Sequence, residues 1–385
     1  MKRIMIMTVL IGIIFGSLMP IKGYATENGE NGTVAAKSAV LMEATTGTVL
    51  FSQNETEALS PASVTKVMTL LLVMEAIDAG KIGLEDVVRI SANAASMGGS
   101  QVFMREGEEF TVDELLKCCV IASANDAAVA LAEYTYGTED FFVEKMNMRA
   151  KELGLTSTKF ENTTGLDDTT TAHLTSAKDI AIMSKELIKH KKILEYSCRW
   201  QDSIRDGDFV LTNTNRLVRF YRGCTGLKTG STDKAGYCVS VTAERDGLSL
   251  ICVIMGAESR DMRNSIATGL LDYGFAHYGL YTMEAKRLER VPVLGGVIKD
   301  VWIETTPFSA IIPKNSTVEC RYEIPKTLRA PLKAGDVIGK VYYQIGENVI
   351  GEGEIIVCEN AEKISYSRVF WRLVMNFVMG ARPNG

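Results

Sequence analysis

Hydrophobic and polar positions along this chain follow two periods, and the change from one to the other marks its parts. Near the start, Val34 to Met42 and Thr48 to Ser52 read as strands around Thr45-Thr46-Gly47, a hairpin. Behind Pro61 the apolar positions Val67, Leu70, Leu71 and Met74 recur at helical spacing, and Gly80 ends the run. Thr111 with Glu114 forms a capping box for a helix carrying Leu115, Leu116 and Cys119. That helix breaks near Ser123 and resumes from Ala127 to Tyr134. Another spans Glu139 to Leu153, closed by Gly154. Ser176 with Asp179 caps one more, through Ile180, Met183 and Leu187.

The period then shortens. Cys224 to Thr232 leads into two β-rich runs, Tyr237 to Thr242 and Leu248 to Met255, joined by the turn Glu244-Arg245-Asp246-Gly247. A helix from about Ser265 to His277 closes the region. Strands at both ends with helices between predict an α+β fold, an antiparallel sheet covered by helices. Past Tyr281 the texture is all-β: Val297 to Glu304, Val318 to Ile324, Val337 to Gln344 and Ile355 to Cys358, divided by Pro and Gly turns as in a small sandwich.

The last stretch returns to helical spacing through Ile364, Val369, Phe370, Leu373, Val374, Phe377 and Val378, with Lys363, Arg368 and Arg372 toward the other face. It is shorter than the roughly 18 to 20 apolar residues a membrane span needs. An apolar stripe, a basic face and Trp371 predict an amphipathic helix at a membrane surface. Packing on the β region, or on a partner, is the alternative.

Composition narrows the classes. A chain of 385 residues with 46% hydrophobic content has room for one large folded domain and a smaller one. A net charge of −5 gives no reason to expect nucleic-acid binding. Lys2 and Arg3, the apolar run Ile4 to Met19 and the small-x-small site Gly23-Tyr24-Ala25 read as a secretory signal, so the mature protein is expected outside the cytoplasmic membrane. The expected organisation is a signal peptide (1–25), a linker (26–34), a catalytic domain (35–283), a β-sandwich domain (284–360) and a C-terminal amphipathic tail (361–385). Of eight cysteines, Cys118, Cys119, Cys238 and Cys252 sit in apolar runs and read as buried, unpaired thiols. His173, His190 and His277 lack metal-ligand spacing, so neither a zinc site nor another cofactor is expected.

Three short strings carry the candidate chemistry: Ser63-Val64-Thr65-Lys66, Ser123-Ala124-Asn125 and Lys228-Thr229-Gly230. Residues i and i+3 of a helix share a face, so Lys66 can reach Ser63. A serine hydroxyl needs an adjacent base, and an amine serves only when its pKa is lowered by burial or by a second cation such as Lys228. Ser123 and Asn125 lie at a helix break, where short polar side chains also belong as caps. Lys228 and Thr229 suit a terminal carboxylate, and Gly230 lets a ligand backbone approach an edge strand. Alone, each string has an ordinary structural explanation. Together they suit acyl transfer through a serine ester.

With this set the chain resembles the penicillin-recognising serine D-alanyl-D-alanine carboxypeptidases, the low-molecular-mass penicillin-binding proteins. Pro61-Ala62-Ser63, Gly98-Gly99-Ser100-Gln101, Asn125-Asp126-Ala127-Ala128 and Asp233-Lys234-Ala235-Gly236-Tyr237 are similar to that branch as well, from about Ala35 to Ala361. The resemblance implies a β-lactamase/transpeptidase-like catalytic domain and a peptidoglycan stem peptide as substrate. It assigns Ser63 as nucleophile, Lys66 as base and Ser123 as proton relay. Asn125 would hold a substrate amide, and backbone N–H groups of Ser63 and Ser231 the oxyanion. Lys228, Thr229 and Arg263 would bind the substrate carboxylate, with Gly230 between them and Ser231; Arg260 is close enough to replace Arg263. It further implies that β-lactams acylate Ser63 and that the tail associates with a membrane surface. His173 also matches a family position, but a structural hydrogen bond is its expected job. One departure stands out: Gly223-Cys224-Thr225-Gly226 lacks the aspartate often found before the third motif. A β-lactamase would need a second base, and no E-x-x-L-N string lies between Phe141 and Asp179. An endopeptidase or transpeptidase with the same nucleophile, and a non-catalytic wall-binding scaffold, are the other readings.

Overall fold

The computed structural model describes residues 32–167 and 170–378. The expected signal peptide, linker residues 26–31 and tail residues 379–385 lie outside the described residues. Five antiparallel strands form the central sheet: β1 (Ser38–Glu43), β2 (Val49–Gln53), β3 (Cys224–Thr232), β4 (Gly236–Arg245) and β5 (Leu248–Ala257), in the order β2-β1-β5-β4-β3. The first and last segments of the domain meet in its middle, where Val40 faces Val253. Ile251, Val253 and Met255 of β5 point into one apolar core, and Leu250, Cys252 and Ile254 into the other. A sheet buried on both faces explains why this run reads as continuously apolar rather than alternating.

Helices fill the space on one side: α1 (Lys66–Asp78), α2 (Val112–Ile121), α3 (Asn125–Tyr136), α4 (Glu139–Glu152) and α5 (Ala177–Leu187). The other face is covered by α6 (Arg260–His277), which begins five residues before the expected Ser265 because Ser259 caps it through the Met262 N–H. Every residue of α1 from Lys66 to Met74 is buried, so this is a helix packed all round rather than an amphipathic one. The capping box of Thr111 and Glu114 is formed at α2. Helix α3 starts at Asn125, two residues earlier than the pattern suggested.

After Met283 the chain builds a six-stranded sheet whose strands include Arg287–Leu294, Asp300–Thr305, Glu319–Glu323, Val337–Ile345 and Asn348–Val357. The pair Tyr278–Met283 and Phe308–Pro313 packs on it through Tyr281, Met283 and Phe308, giving a third core. The Phe308 ring stacks on Tyr343 at 3.8 Å. A final helix, Tyr366–Val378, leaves Phe370, Trp371 and Leu373 each more than 60% exposed.

Candidate active site

Ser63 does not lie in the first turn of α1. It sits in a 3₁₀ turn, Ala62–Thr65, placed directly ahead of it. The turn is held from two sides. Thr65 Oγ1 donates to the Ala62 carbonyl at 2.8 Å, and His173 Nε2 lies 2.8 Å from the same hydroxyl. His173 Nδ1 accepts from the Glu161 N–H at 3.0 Å, which leaves Nε2 as the protonated nitrogen donating to Thr65. Burial pushes the His173 pKa down to about 4, so the ring is neutral near pH 7. His173 thus braces the serine turn, a structural hydrogen bond as expected. A 3₁₀ turn stacks i on i+3, and Lys66 meets Ser63 by that geometry.

Lys66 is fully buried, with its ammonium 3.0 Å from Ser63 Oγ, 2.6 Å from Asn125 Oδ1 and 2.9 Å from the Thr164 carbonyl. Burial brings its pKa down to about 8, against an opposing pull from Cys119 and Asp126. The repulsion expected from the second cation falls instead on Lys228, which burial and then Lys66 hold well below the ordinary lysine value. An amide oxygen and a carbonyl can only accept. When Lys66 loses a proton, its lone pair is therefore left facing the one partner that can donate, the Ser63 hydroxyl.

Ser123 sits at the predicted break, between α2 and α3, with φ +63. Its Oγ accepts from Lys228 Nζ at 2.6 Å, so its own hydrogen is free to point into the cleft. Asn125 is anchored by Nδ2 donating to the Gly98 carbonyl at 2.7 Å, which ties the Gly98–Gln101 loop to the site. Asp126, absent from the expected site, holds the same loop by accepting from the Val102 and Met104 N–H groups at 3.0 and 3.2 Å.

Lys228, Thr229, Gly230 and Ser231 lie on β3, the sheet edge. Gly230 passes so close to the serine turn that an added Cβ would meet Ser63 N at 2.7 Å. At the head of β3, where the aspartate is missing, other bonds hold the strand. Asn215 Nδ2 donates to the Gly226 carbonyl at 2.9 Å, and Thr225 Oγ1 meets Thr242 Oγ1 at 2.7 Å. Thr229 Oγ1 donates to Thr214 Oγ1 at 2.8 Å. No motif in the sequence marks Thr214 or its neighbours. The only signal there was Thr212-Asn213-Thr214-Asn215, a polar string of turn-forming residues next to the third motif.

Ser63, Ser123, Thr229, Gly230, Ser231 and Arg263 all open onto one cleft of about 570 Å³. Arg263 is 3% exposed and donates to the Cys238 carbonyl and the Asn264 side chain; Arg260 lines the same cleft in the open. Lys66, Asn125 and Lys228 sit directly behind these groups. All eight cysteines are free, with Cys118, Cys119, Cys238 and Cys252 buried. Among the described residues no cluster of three His, Cys, Asp or Glu side chains could hold a metal.

A hydroxyl beside a buried amine, with a second hydroxyl–amine pair across a cleft, is the equipment of a serine acyl-transfer enzyme. Residues 24–259 match the family model described as D-alanyl-D-alanine carboxypeptidase, and residues 286–363 match the penicillin-binding protein 5 C-terminal domain. The D-alanyl-D-alanine carboxypeptidase DacF of Bacillus subtilis (strain 168) is 41% identical over 378 residues, covering 95% of this chain and 96% of the relative. DacC of Escherichia coli (strain K12) is 32% identical over 370 residues, covering 91% and 90%. Penicillin binding protein 5 from Haemophilus influenzae superposes with a TM-score of 0.78 at 31% identity, over 86% of this chain and 99% of that one. Penicillin-Binding Protein D2 from Listeria monocytogenes, solved in its ampicillin-bound form, gives 0.59 at 30% identity, over 64% of this chain and 99% of that one. This chain belongs to the D-alanyl-D-alanine carboxypeptidase family of serine peptidases.

Proposed function

We propose that this protein removes the terminal D-alanine from peptidoglycan stem peptides through an ester on Ser63. Neutral Lys66 takes the Ser63 proton as Oγ attacks the carbonyl between the two D-alanines. The oxyanion is met by the backbone N–H groups of Ser63 and Ser231. When the C–N bond breaks, Ser123 gives its hydrogen to the departing nitrogen and takes a proton in return from the Lys228 ammonium, 2.6 Å behind it. Lys228 and Thr229 hold the carboxylate of the leaving residue, Arg263 supports it from the buried side, and Asn125 holds a substrate amide. Water then hydrolyses the ester. β-Lactams offer the same carbonyl and carboxylate to the same groups and are expected to acylate Ser63 and leave slowly.

The observation that carries this reading is the pair of amine–hydroxyl contacts facing one cleft, Lys66 to Ser63 at 3.0 Å and Lys228 to Ser123 at 2.6 Å. Its test is release of free D-alanine from a defined pentapeptide together with labelling by a fluorescent penicillin, in the parent chain and in Ser63→Ala. Both signals are expected in the parent and neither in the variant. An unlabelled, inactive parent would favour a wall-binding scaffold.

The reading extends to place. The exposed apolar face of Tyr366–Val378 supports association with a membrane surface, although among the described residues no helix is long and apolar enough to cross one. An exported enzyme on the outer face of the cytoplasmic membrane would stand next to its substrate. We read 35–283 as the catalytic domain, 284–360 as a β spacer and 361–385 as the anchor.

A further inference from the structure

A carboxyl group outside the catalytic set touches both segments that carry the oxyanion donors. We propose that Asp167 is a positioning residue for acyl transfer: it fixes the spacing between the serine turn and the end of β3, and so between the N–H groups that receive the oxyanion. This rests on the reading of Ser63 N and Ser231 N as those donors.

Both partners of Asp167 stand beside those donors in the chain. Ser60 lies just ahead of Pro61 and the serine turn Ala62–Thr65, and Thr232 ends β3, next to Ser231. A single oxygen, Asp167 Oδ2, accepts from both hydroxyls, Thr232 Oγ1 at 2.5 Å and Ser60 Oγ at 3.3 Å. Thr232 has one hydroxyl hydrogen and gives it to Asp167, while its oxygen accepts the Ala235 N–H at 3.0 Å. That second bond ties the turn between β3 and β4 to the same point. Nearby, Gly230 runs against Pro61, Ser63 and Val64 too closely to admit a Cβ. Steric contact stops the two segments from approaching further but not from parting. Asp167 supplies a restraint in that other direction.

The loop bearing Asp167 is itself fixed. Asn162 Oδ1 accepts from the Thr164 and Gly165 N–H groups at 3.2 and 2.7 Å, and its Nδ2 donates to the Leu166 carbonyl at 2.7 Å. A side chain thus folds its own backbone. Glu139, on α4, accepts from the Thr163 N–H and hydroxyl at 3.1 and 2.7 Å. Gly165 passes so near the serine turn that an added Cβ would meet the Ala62 carbonyl oxygen at 1.8 Å. The same loop holds Lys66 through the Thr164 carbonyl at 2.9 Å. Base and oxyanion donors therefore take their alignment from one short segment.

Asp167 does not line the cleft, so it acts through Ser60 and Thr232 rather than on substrate. Its effect belongs to the transition state. Oxyanion donors act on charge that appears only as the tetrahedral centre forms, so spreading them slows turnover and leaves substrate binding nearly as it was.

The test compares the full-length chain with Asp167→Ala, Asp167→Asn, Thr232→Val and the double variant Asp167→Ala/Thr232→Val. It measures kcat and KM on a defined pentapeptide and the second-order rate of acylation by a fluorescent penicillin, beside thermal unfolding. Asp167→Ala and Thr232→Val are each expected to lower kcat and the acylation rate about tenfold to hundredfold, with KM within about twofold of the parent. The double variant should be no slower than the slower single one, because both changes remove the same bond. Asp167→Asn keeps an accepting oxygen and should recover most of the loss. Parent rates in folded Asp167→Ala and Thr232→Val, or losses that multiply in the double variant, would overturn the proposal. So would an Asp167→Asn as slow as Asp167→Ala, which would make the carboxyl an acid or base instead of a brace. Should Asp167→Ala fail to fold, Thr232→Val and Asp167→Asn decide. If the parent releases no D-alanine and takes no penicillin label, the underlying reading has failed and this one with it.

Discussion

Gly230→Ala isolates the contact between the edge strand and the nucleophile. A Cβ at this position would lie 2.7 Å from Ser63 N, 2.9 Å from the Pro61 carbonyl oxygen and 2.9 Å from Val64 N. All three are backbone atoms of a turn that Thr65 and His173 hold, so no flexible side chain can yield. Real Cβ contacts stay beyond 3.0 Å, and β3 or the serine turn has to move apart. Overpacking of this kind costs about 1–3 kcal/mol, within the roughly 5–15 kcal/mol that holds a domain together. The variant should therefore fold, with Tm lower by about 2–4 °C for each kcal/mol. Catalysis is less tolerant, because shifting reacting groups by as much as ~1 Å costs roughly hundredfold. Ser63 N and Ser231 N are the two groups that the shift separates. The assay is the second-order rate constant for acylation by a fluorescent penicillin, beside thermal unfolding. Gly279→Ala, where nothing lies within 4 Å of the added carbon, is the control. A folded Gly230→Ala acylated at the parent rate would refute the argument that strand proximity aligns the site.

Three other outcomes are expected. Because Lys66, at a pKa of about 8, acts only when deprotonated, acylation should climb with pH, level off above that value and fall about tenfold per unit below it; a profile flat across neutral pH would remove Lys66 as the base. His173→Ala breaks the bond to Thr65 and leaves the Glu161 N–H unpaired, so stability should drop by about 1–3 kcal/mol in denaturant unfolding. With a ring already neutral above about pH 4, the same variant should not shift the acylation profile near neutrality, and a shift there would make the histidine a participant. Deleting residues from Ile364 onward should abolish co-sedimentation with vesicles containing anionic lipid while pentapeptide turnover persists. A truncation that still sediments would refute the anchor.

Much of this molecule was legible from local pattern. The capping box at Thr111, the break at Ser123, the hairpin through Asp246-Gly247 and the edge position of Lys228 are written in neighbouring residues, and neighbours in sequence are neighbours in those elements. Boundaries were less legible: α6 starts at Arg260 because the Ser259 cap outweighs the weak apolar spacing before Ser265. The wall of the cleft was not legible at all. Its hairpin, Gln201–Ile204 with Phe209–Thr212, and the turn bearing Arg216 and Phe220 carry no strong periodicity.

Residue identity and spacing alone determined the two β-rich regions, the helices between them and the inventory of a hydroxyl, amines and carboxylate-binding groups. Spacing could bring Lys66 to Ser63, since three residues apart is a local relation. It could not bring Lys228 to Ser123, which are 105 residues apart and joined only through the sheet edge. Nor could it set the basicity of Lys66, because that depends on the water excluded by everything packed around it. Proximity across the fold and local dielectric are properties of the assembled core, and only the tertiary structure decided them.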